Sequence, residues 1–496
     1  MAPAWAGPAR GLFESVVSWL DGPVAMGADH AELEDRLAVG SREQYRLLLQ
    51  GHLDERAARE RRRSGVTGVD AVARTRVEAG HQRALATVFG QVRVTRKAYR
   101  ALGAGNLYPG DAVLNLPVGK HSHGLRRLAA LESARGSFER AGEAIGRVTG
   151  TRLGKRQIEQ LSQAAAADVD AYYAGRRPGA RPDSEVLVLQ ADGKGIVMCP
   201  AGLREATART AAAATGKLAT RLSPGEKRGR KRMAEIGAVH DLTPAPRTPD
   251  DIIPAPGRRG RSRPRDAGPA ATGKWLTASI TDDIPAVIAT LFDEAERRDP
   301  DHARVWVALV DGNPQQIKAI QAQAAARAVT VTIVIDFVHV LEYVWKAAWT
   351  FFYSGDPDAE TWVATHARKI LQGQAVAVAA AIARQADLGG YSTEERKGVD
   401  TAAGYLTAKS GHLDYATALE RGWPIATGVI EGACRHLVKD RMDITGARWG
   451  RDGAEAILKL RALISNGDFE DYWQHHLQQE HHRNHQTHYQ DPVLAA

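Results

Sequence analysis

Two apolar runs in this 496-residue chain stop on an aspartate followed by glycine: Val186-Leu-Val-Leu-Gln-Ala-Asp192-Gly and Val305-Trp-Val-Ala-Leu-Val-Asp311-Gly. Short β-favouring runs closed by a turn signal read as buried strands. A carboxylate at the end of a core strand is costly to bury unless it meets a cation or another partner. A third acid, Glu431 in Ile425-Ala-Thr-Gly-Val-Ile-Glu431-Gly-Ala-Cys, opens a helical stretch. Brought together, three such groups hold divalent metal. Each Asp-Gly alone is an ordinary turn; the three acids in this order, in a basic chain, make the signal.

Composition narrows the partner. The net charge of +8 is clustered in Arg/Lys blocks, which favours a polyanion, nucleic acid before anionic membrane. No apolar run is long enough to span a bilayer, and Met1-Ala-Pro-Ala-Trp-Ala-Gly lacks the basic start and apolar centre of a signal peptide. Two cysteines, Cys199 and Cys434, are too few to staple the chain and fit a reducing cytoplasm.

Residues 1–120 read as a helical region, with a β-hairpin at 84–100 and a Gly/Pro-rich loop at 101–118. Residues 121–180 carry a helical period broken at Thr149-Gly150, the shape of a helix-turn-helix followed by a linker. Its second helix begins Arg152-Leu-Gly-Lys-Arg-Gln, which places Arg152, Lys155, Arg156 and Gln157 for DNA contact; a plain helical hairpin with a charged face has the same pattern. Residues 181–340 contain strands from 185, 235 and 274, a helix, the strand ending at Asp311, a helix, and the strand Val329–Ile335. A basic insertion near 200–272 carries Lys227, Arg228, Arg230, Lys231 and Arg232, then an Arg/Pro loop. Beside a phosphodiester-cutting site these blocks suit phosphate binding; the alternative is a solubilising loop. Residues 341–424 read as a helical insertion, and 425–496 as a final core helix bearing Glu431 plus C-terminal helices.

Three strands, helix, strand, helix, strand, then helices is the order of the ribonuclease-H-like fold. The expected class is therefore α/β: a ribonuclease-H-like core with a helical insertion, preceded by a mostly helical DNA-binding region. In that fold the fourth strand lies parallel beside the first, so Asp192 and Asp311 are neighbours able to share metal, whereas Asp336, after the fifth strand, lies farther from Asp192. Phosphodiester transfer needs a nucleophilic oxygen, a stabilised phosphorus and a stabilised leaving oxygen, and two Mg²⁺ ions about 3.5–4 Å apart serve all three. Mg²⁺ takes oxygen ligands and needs few carboxylates; Mn²⁺ can substitute. Arg435 and Lys439 follow Glu431 at four-residue spacing, read either as DNA contacts or, for Arg435, as an ion pair with Glu431. The tail histidines, His475 to His488, lack a Cys or acidic cage and read as a polar helix end.

Ala191-Asp-Gly-Lys-Gly, Arg232-Met-Ala-Glu-Ile-Gly-Ala-Val, Lys274-Trp-Leu-Thr-Ala-Ser, Leu309-Val-Asp-Gly-Asn, Asp336-Phe-Val-His-Val-Leu-Glu-Tyr and Gly428-Val-Ile-Glu-Gly-Ala-Cys-Arg-His-Leu-Val-Lys-Asp-Arg-Met together resemble bacterial insertion-sequence transposases of the ISKra type, relatives of the Mutator-like DDE transposases. The resemblance spans about residues 80–480. It implies Asp192, Asp311 and Glu431 as the catalytic and metal-binding triad, and Asp336 and His339 as supporting residues of a Cys-or-Asp, two residues, His signature. It also implies double-stranded DNA as substrate, a homodimer or larger assembly, and a bacterial, nucleoid-associated location. The residues 1–40 and 245–270 have no match to it. A ribonuclease-H-like nuclease or resolvase that cuts without joining, and a DNA-binding regulator with a dead core, are the alternatives.

Overall fold

A computed structural model describes residues 3–177, 186–213, 228–254, 268–444 and 446–491. The chain divides into two units, Met1–Gly175 with Gly467–Ala496, and Arg176–Asn466. The stretch 425–496, read from the sequence as one piece, is thus shared between them.

In the first unit the long helix His30–Arg59 starts on a capping box, Asp29 accepting from the Glu32 amide and Glu32 reaching back. Five strands follow: β1 (Val66–Thr67), β2 (Ala73–Arg74), β3 (Arg76–Thr87), β4 (Gly90–Ala101) and β5 (Ala104–Leu107). The expected hairpin is β3–β4, antiparallel, starting earlier than 84. The helical reading of 60–80 and the loop reading of 101–118 are corrected: both stretches contain strands, and Pro109–Val113 is a short helix. These segments are too short for an apolar period to declare itself.

The helices His123–Arg135, Phe138–Thr149 and Lys155–Ala165 share a core of Leu125, Ala129, Ala141, Ile145, Leu153 and Ile158. Phe138–Thr149 ends at Gly150, whose φ of 70° is the left-handed conformation that glycine adopts most easily. The next helix begins at Lys155, capped by Gly154, so Arg152 lies in the turn and not on the helix. The C-terminal helix Phe469–Asn484 is not merely a polar end. His476 is buried against Asp168 at 2.6 Å, Arg483 also binds Asp168, and Glu480 accepts from Arg126.

The second unit is mixed α/β. Its sheet has strands β6 (Val186–Val197), β7 (Lys231–Thr243), β8 (Ala270–Ser279), β9 (Val305–Val310) and β10 (Val331–Ile335), in the order β10-β9-β6-β7-β8. β6, β7 and β8 form an antiparallel meander, while β9 runs parallel beside β6 and β10 parallel beside β9. These are the neighbours expected from the element order. Trp275 and Trp306 are fully buried in this core. The span expected to be a helical insertion holds helices including Phe337–Phe351, Pro357–Leu371, Ala375–Leu388 and Lys397–Ala408.

Candidate functional site

The parallel register brings the aspartates level. β6 pairs with β9 from Val186↔Val305 to Gln190↔Leu309; carried two positions further, the same register aligns Asp192 with Asp311. β9 pairs with β10 up to Val310↔Ile335, and one step further aligns Asp311 with Asp336. All three therefore stand at the carboxyl end of the parallel strands, where open α/β sheets place their ligands. Asp192 does not end its strand: β6 continues to Val197, paired only with β7. What ends near Asp192 is the pairing with β9.

Asp192 and Asp311 line one cavity of about 760 Å³, together with Arg204, Glu235, Asp283, Asn313 and Lys318. Asp192 accepts the Gly193 amide at 2.7 Å and the Cys434 thiol at 3.2 Å. Burial and the adjoining Asp192 push the Cys434 thiol well above its ordinary range. Asp311 accepts the Asn313 amide at 2.8 Å. The intervening Gly312 has φ of 92°, and a Cβ there would stand 2.6 Å from the Tyr405 hydroxyl. That hydroxyl donates to the Asp311 carbonyl, so a helix of the insertion braces the turn.

Glu431 sits on the helix Gly428–Ala433. Its carboxylate is exposed and is not among the residues lining the cavity. The helix is tied to β6, the buried Gln190 side chain accepting the Ile430 amide at 2.9 Å. Thr427 donates to Asp336 and lies 3.4 Å from Glu431 Oε1. Asp336 is fully buried and also accepts the Val338 amide, with His339 at 3.4 Å. Burial acts against ionisation of Asp336, but His339, Thr427 and Val338 together hold its carboxyl below the usual range. The hydrogen bond to Asp336 raises His339 to about 9, against its partial burial.

After Ala433 the helix widens to π winding over Cys434–Lys439. The expected common face of residues 431, 435 and 439 is corrected for this reason, since it assumed α-helical spacing. Arg435 approaches Asp440 at 3.9 Å and not Glu431, and Arg435 and Lys439 are exposed. The π turn also seats Cys434 against Asp192.

The other expected DNA contacts are scattered in character. Arg152 and Arg156 are exposed; Lys155 is exposed and pairs with Glu139 at 2.9 Å. Gln157 Oε1 accepts the Gly154 amide, capping its own helix. Arg232 donates to the carbonyl of Ile280 at 2.7 Å, so its guanidinium is used within the fold. Arg230 is exposed and Lys231 half-buried at the start of β7. Lys227, the Arg228 side chain and the Arg/Pro loop at 255–267 lie outside the described residues.

Sequence reasoning missed Glu235. It stands on β7 opposite Gly193, and its carboxylate oxygens approach that glycine. Burial raises its carboxyl above the ordinary range; Arg204 opposes this, while Asp192, Asp283 and Asp311 add to it. The available signal was an acid inside the otherwise apolar stretch Ala234-Glu-Ile-Gly-Ala-Val.

Carboxylate oxygens lining an open cavity suit the chemistry of Mg²⁺, which is held by one or two carboxylates and completes its shell with water and phosphate. Asp192 and Asp311 fit that requirement. Among the described residues no three His, Cys, Asp or Glu side chains form a ready metal cage.

No family model matches the chain, and no curated protein matches it. Among solved structures, it is similar to the Drosophila P element transposase strand transfer complex, at 10% identity over 74% of this chain and 88% of that chain, with a TM-score of 0.22. A likeness of that size carries no argument about fold or function.

Proposed function

We propose that the chain is a DDE transposase with a ribonuclease-H-like core, of the ISKra type related to the Mutator-like enzymes, catalysing Mg²⁺-dependent cleavage and strand transfer of DNA. The observation that carries this reading is the levelling of Asp192 and Asp311 on adjacent parallel strands, facing one cavity. The strand order of the second unit supports the fold assignment.

In this reading Asp192 and Asp311 hold the cation, with Glu431 as the third carboxylate. Bound Mg²⁺ supplies charge neutralisation at the phosphate. Arg204 and Lys318 at the cavity meet phosphate oxygens. Asp336 and His339 fix Thr427 and so position Glu431. The reaction is two displacements at phosphorus. Water attacks first and frees a 3′-hydroxyl; that hydroxyl then attacks a target phosphate and expels its bridging oxygen. No covalent protein–DNA intermediate forms. The first unit grips the element ends through a helix-turn-helix formed by Phe138–Thr149 and Lys155–Ala165, with Arg152, Lys155 and Arg156 outward. Arg230, Lys231, Arg435 and Lys439 add backbone contacts. Pairing two ends requires a dimer or larger assembly.

The test is incubation with Mg²⁺ and a plasmid carrying the DNA that flanks the coding sequence. Nicked ends and joined products are expected, both lost in Asp192→Asn, Asp311→Asn and Glu431→Gln. Wild-type joining by all three variants overturns the assignment. Cutting without joining favours a nuclease.

A further inference from the structure

Glu235 is a carboxylate that the fold places in the cavity without any partner. It is 9% exposed and lines the same space as Asp192 and Asp311. Among the described residues it forms no hydrogen bond and no ion pair. Its oxygens open onto the cavity and are not sealed in the core, so what neutralises the charge has to come from the cavity side. Its neighbours make the position worse for a free anion: Asp192, Asp283 and Asp311 all act on it. Arg204, the cation nearest in influence, makes no ion pair with it and is itself exposed.

The placement is also specific. β7 runs antiparallel to β6, and Gly193 faces Glu235 across the pair. A Cβ on residue 193 would lie 3.5 Å from Glu235 Oε2, so the absent side chain opens the path from Glu235 towards the space beside Asp192. Glu431, by contrast, is exposed and outside the cavity lining.

We propose that Glu235 is a further cation-binding carboxylate of this cavity, acting through the hydration shell of a hard divalent ion held by Asp192 and Asp311 and not as a third direct ligand. This rests on the reading that Asp192 and Asp311 bind such an ion. Mg²⁺ keeps several waters in protein sites, which suits a cavity of about 760 Å³ better than a tight cage. Glu235 thus supplies negative charge that the other two acids cannot, from the opposite strand.

The test uses the full chain without DNA, titrated with Mn²⁺ and followed by the electron paramagnetic resonance signal of free Mn²⁺, with thermal unfolding in parallel. Glu235→Gln removes the charge and keeps the shape; Glu235→Asp keeps the charge on a shorter stem. Expected for Glu235→Gln is Mn²⁺ affinity weakened about 10- to 100-fold, the range for losing a supporting group at a metal site. Without metal its Tm rises above wild type, and most of the Mn²⁺-induced rise in Tm disappears. Glu235→Asp retains more affinity than Glu235→Gln. If Glu235→Gln binds Mn²⁺ like wild type while Asp192→Asn does not, this inference fails and the site reading stands. If Asp192→Asn also binds like wild type, both fail.

Discussion

Strand β7 carries Glu235 near its start and Asp241 near its end, both buried, and their surroundings are opposite. Asp241 accepts from Arg304 at 2.8 Å and Arg298 at 3.4 Å. Beside it, Glu294 takes Arg297 and Arg298, and Asp299 accepts the amides of Ala303 and Arg304 and the Trp306 indole. At the other end, Asp192 and Asp311 receive only neutral donors, and Glu235 none, among the described residues. Arginines therefore contact the carboxylate of β7 at one end, while at the other Asp336 has His339 but Asp192, Asp311 and Glu235 have no cation in direct contact among the described residues. A buried charge without a partner is destabilising, so the open end is where an external cation is most strongly favoured.

Substitutions break that contrast in opposite directions. Asp241→Ala takes the carboxylate from Arg304 and leaves Arg298 its bond to Glu294; it should cost about 3–5 kcal/mol of stability, the range for breaking a buried pair, read from urea unfolding. An unchanged midpoint would remove the structural half of the comparison. Asp311→Asn should leave the urea midpoint at or above wild type, while DNA cleavage falls by about a hundred- to a thousandfold. Loss of folding in place of loss of cleavage would mean that Asp311 is structural too.

The first unit offers a second paired network against which to sharpen the contrast. Burial pushes the Glu480 carboxyl up, but Arg126 and Arg483 outweigh it and hold it at about 2. Its folded pKa lies below the unfolded value, so its contribution is complete above the ordinary carboxylate range and is lost as pH falls from there towards about 2. Acid unfolding of the wild type should therefore show a drop in this window that is reduced in Glu480→Gln. Equal acid profiles would contradict the pairing. The smallest effect is expected for Cys434→Ala, which removes one thiol hydrogen bond to Asp192. The acceptor is a carboxylate, and a bond to a charged group contributes about 1.5–3 kcal/mol, with a weak thiol donor at the low end, so cleavage should fall by about tenfold and the metal requirement should persist.

The contrast also explains what was legible beforehand. The apolar runs before Asp192 and Asp311 name their strands, and the likeness of the element order to the ribonuclease-H-like fold made those strands expected neighbours; the register that levels the two acids was not legible. Glu235 was not foreseen, because a single acid in an otherwise apolar strand does not say which neighbour it faces; only the pairing with Gly193 shows that. The π winding at Cys434–Lys439 was equally hidden, since an acid and two cations at four-residue spacing mimic an α-helical face. His476, read as part of a polar tail, is buried because Asp168, distant in sequence, meets it.

The central claim is that Asp192 and Asp311 share a divalent cation. Anomalous diffraction from crystals of the protein soaked in Mn²⁺ tests it most directly. The account predicts a manganese peak in coordination contact with both carboxylates, absent in Asp192→Asn. A saturated crystal with no peak in this cavity, or with manganese bound only elsewhere, would contradict it.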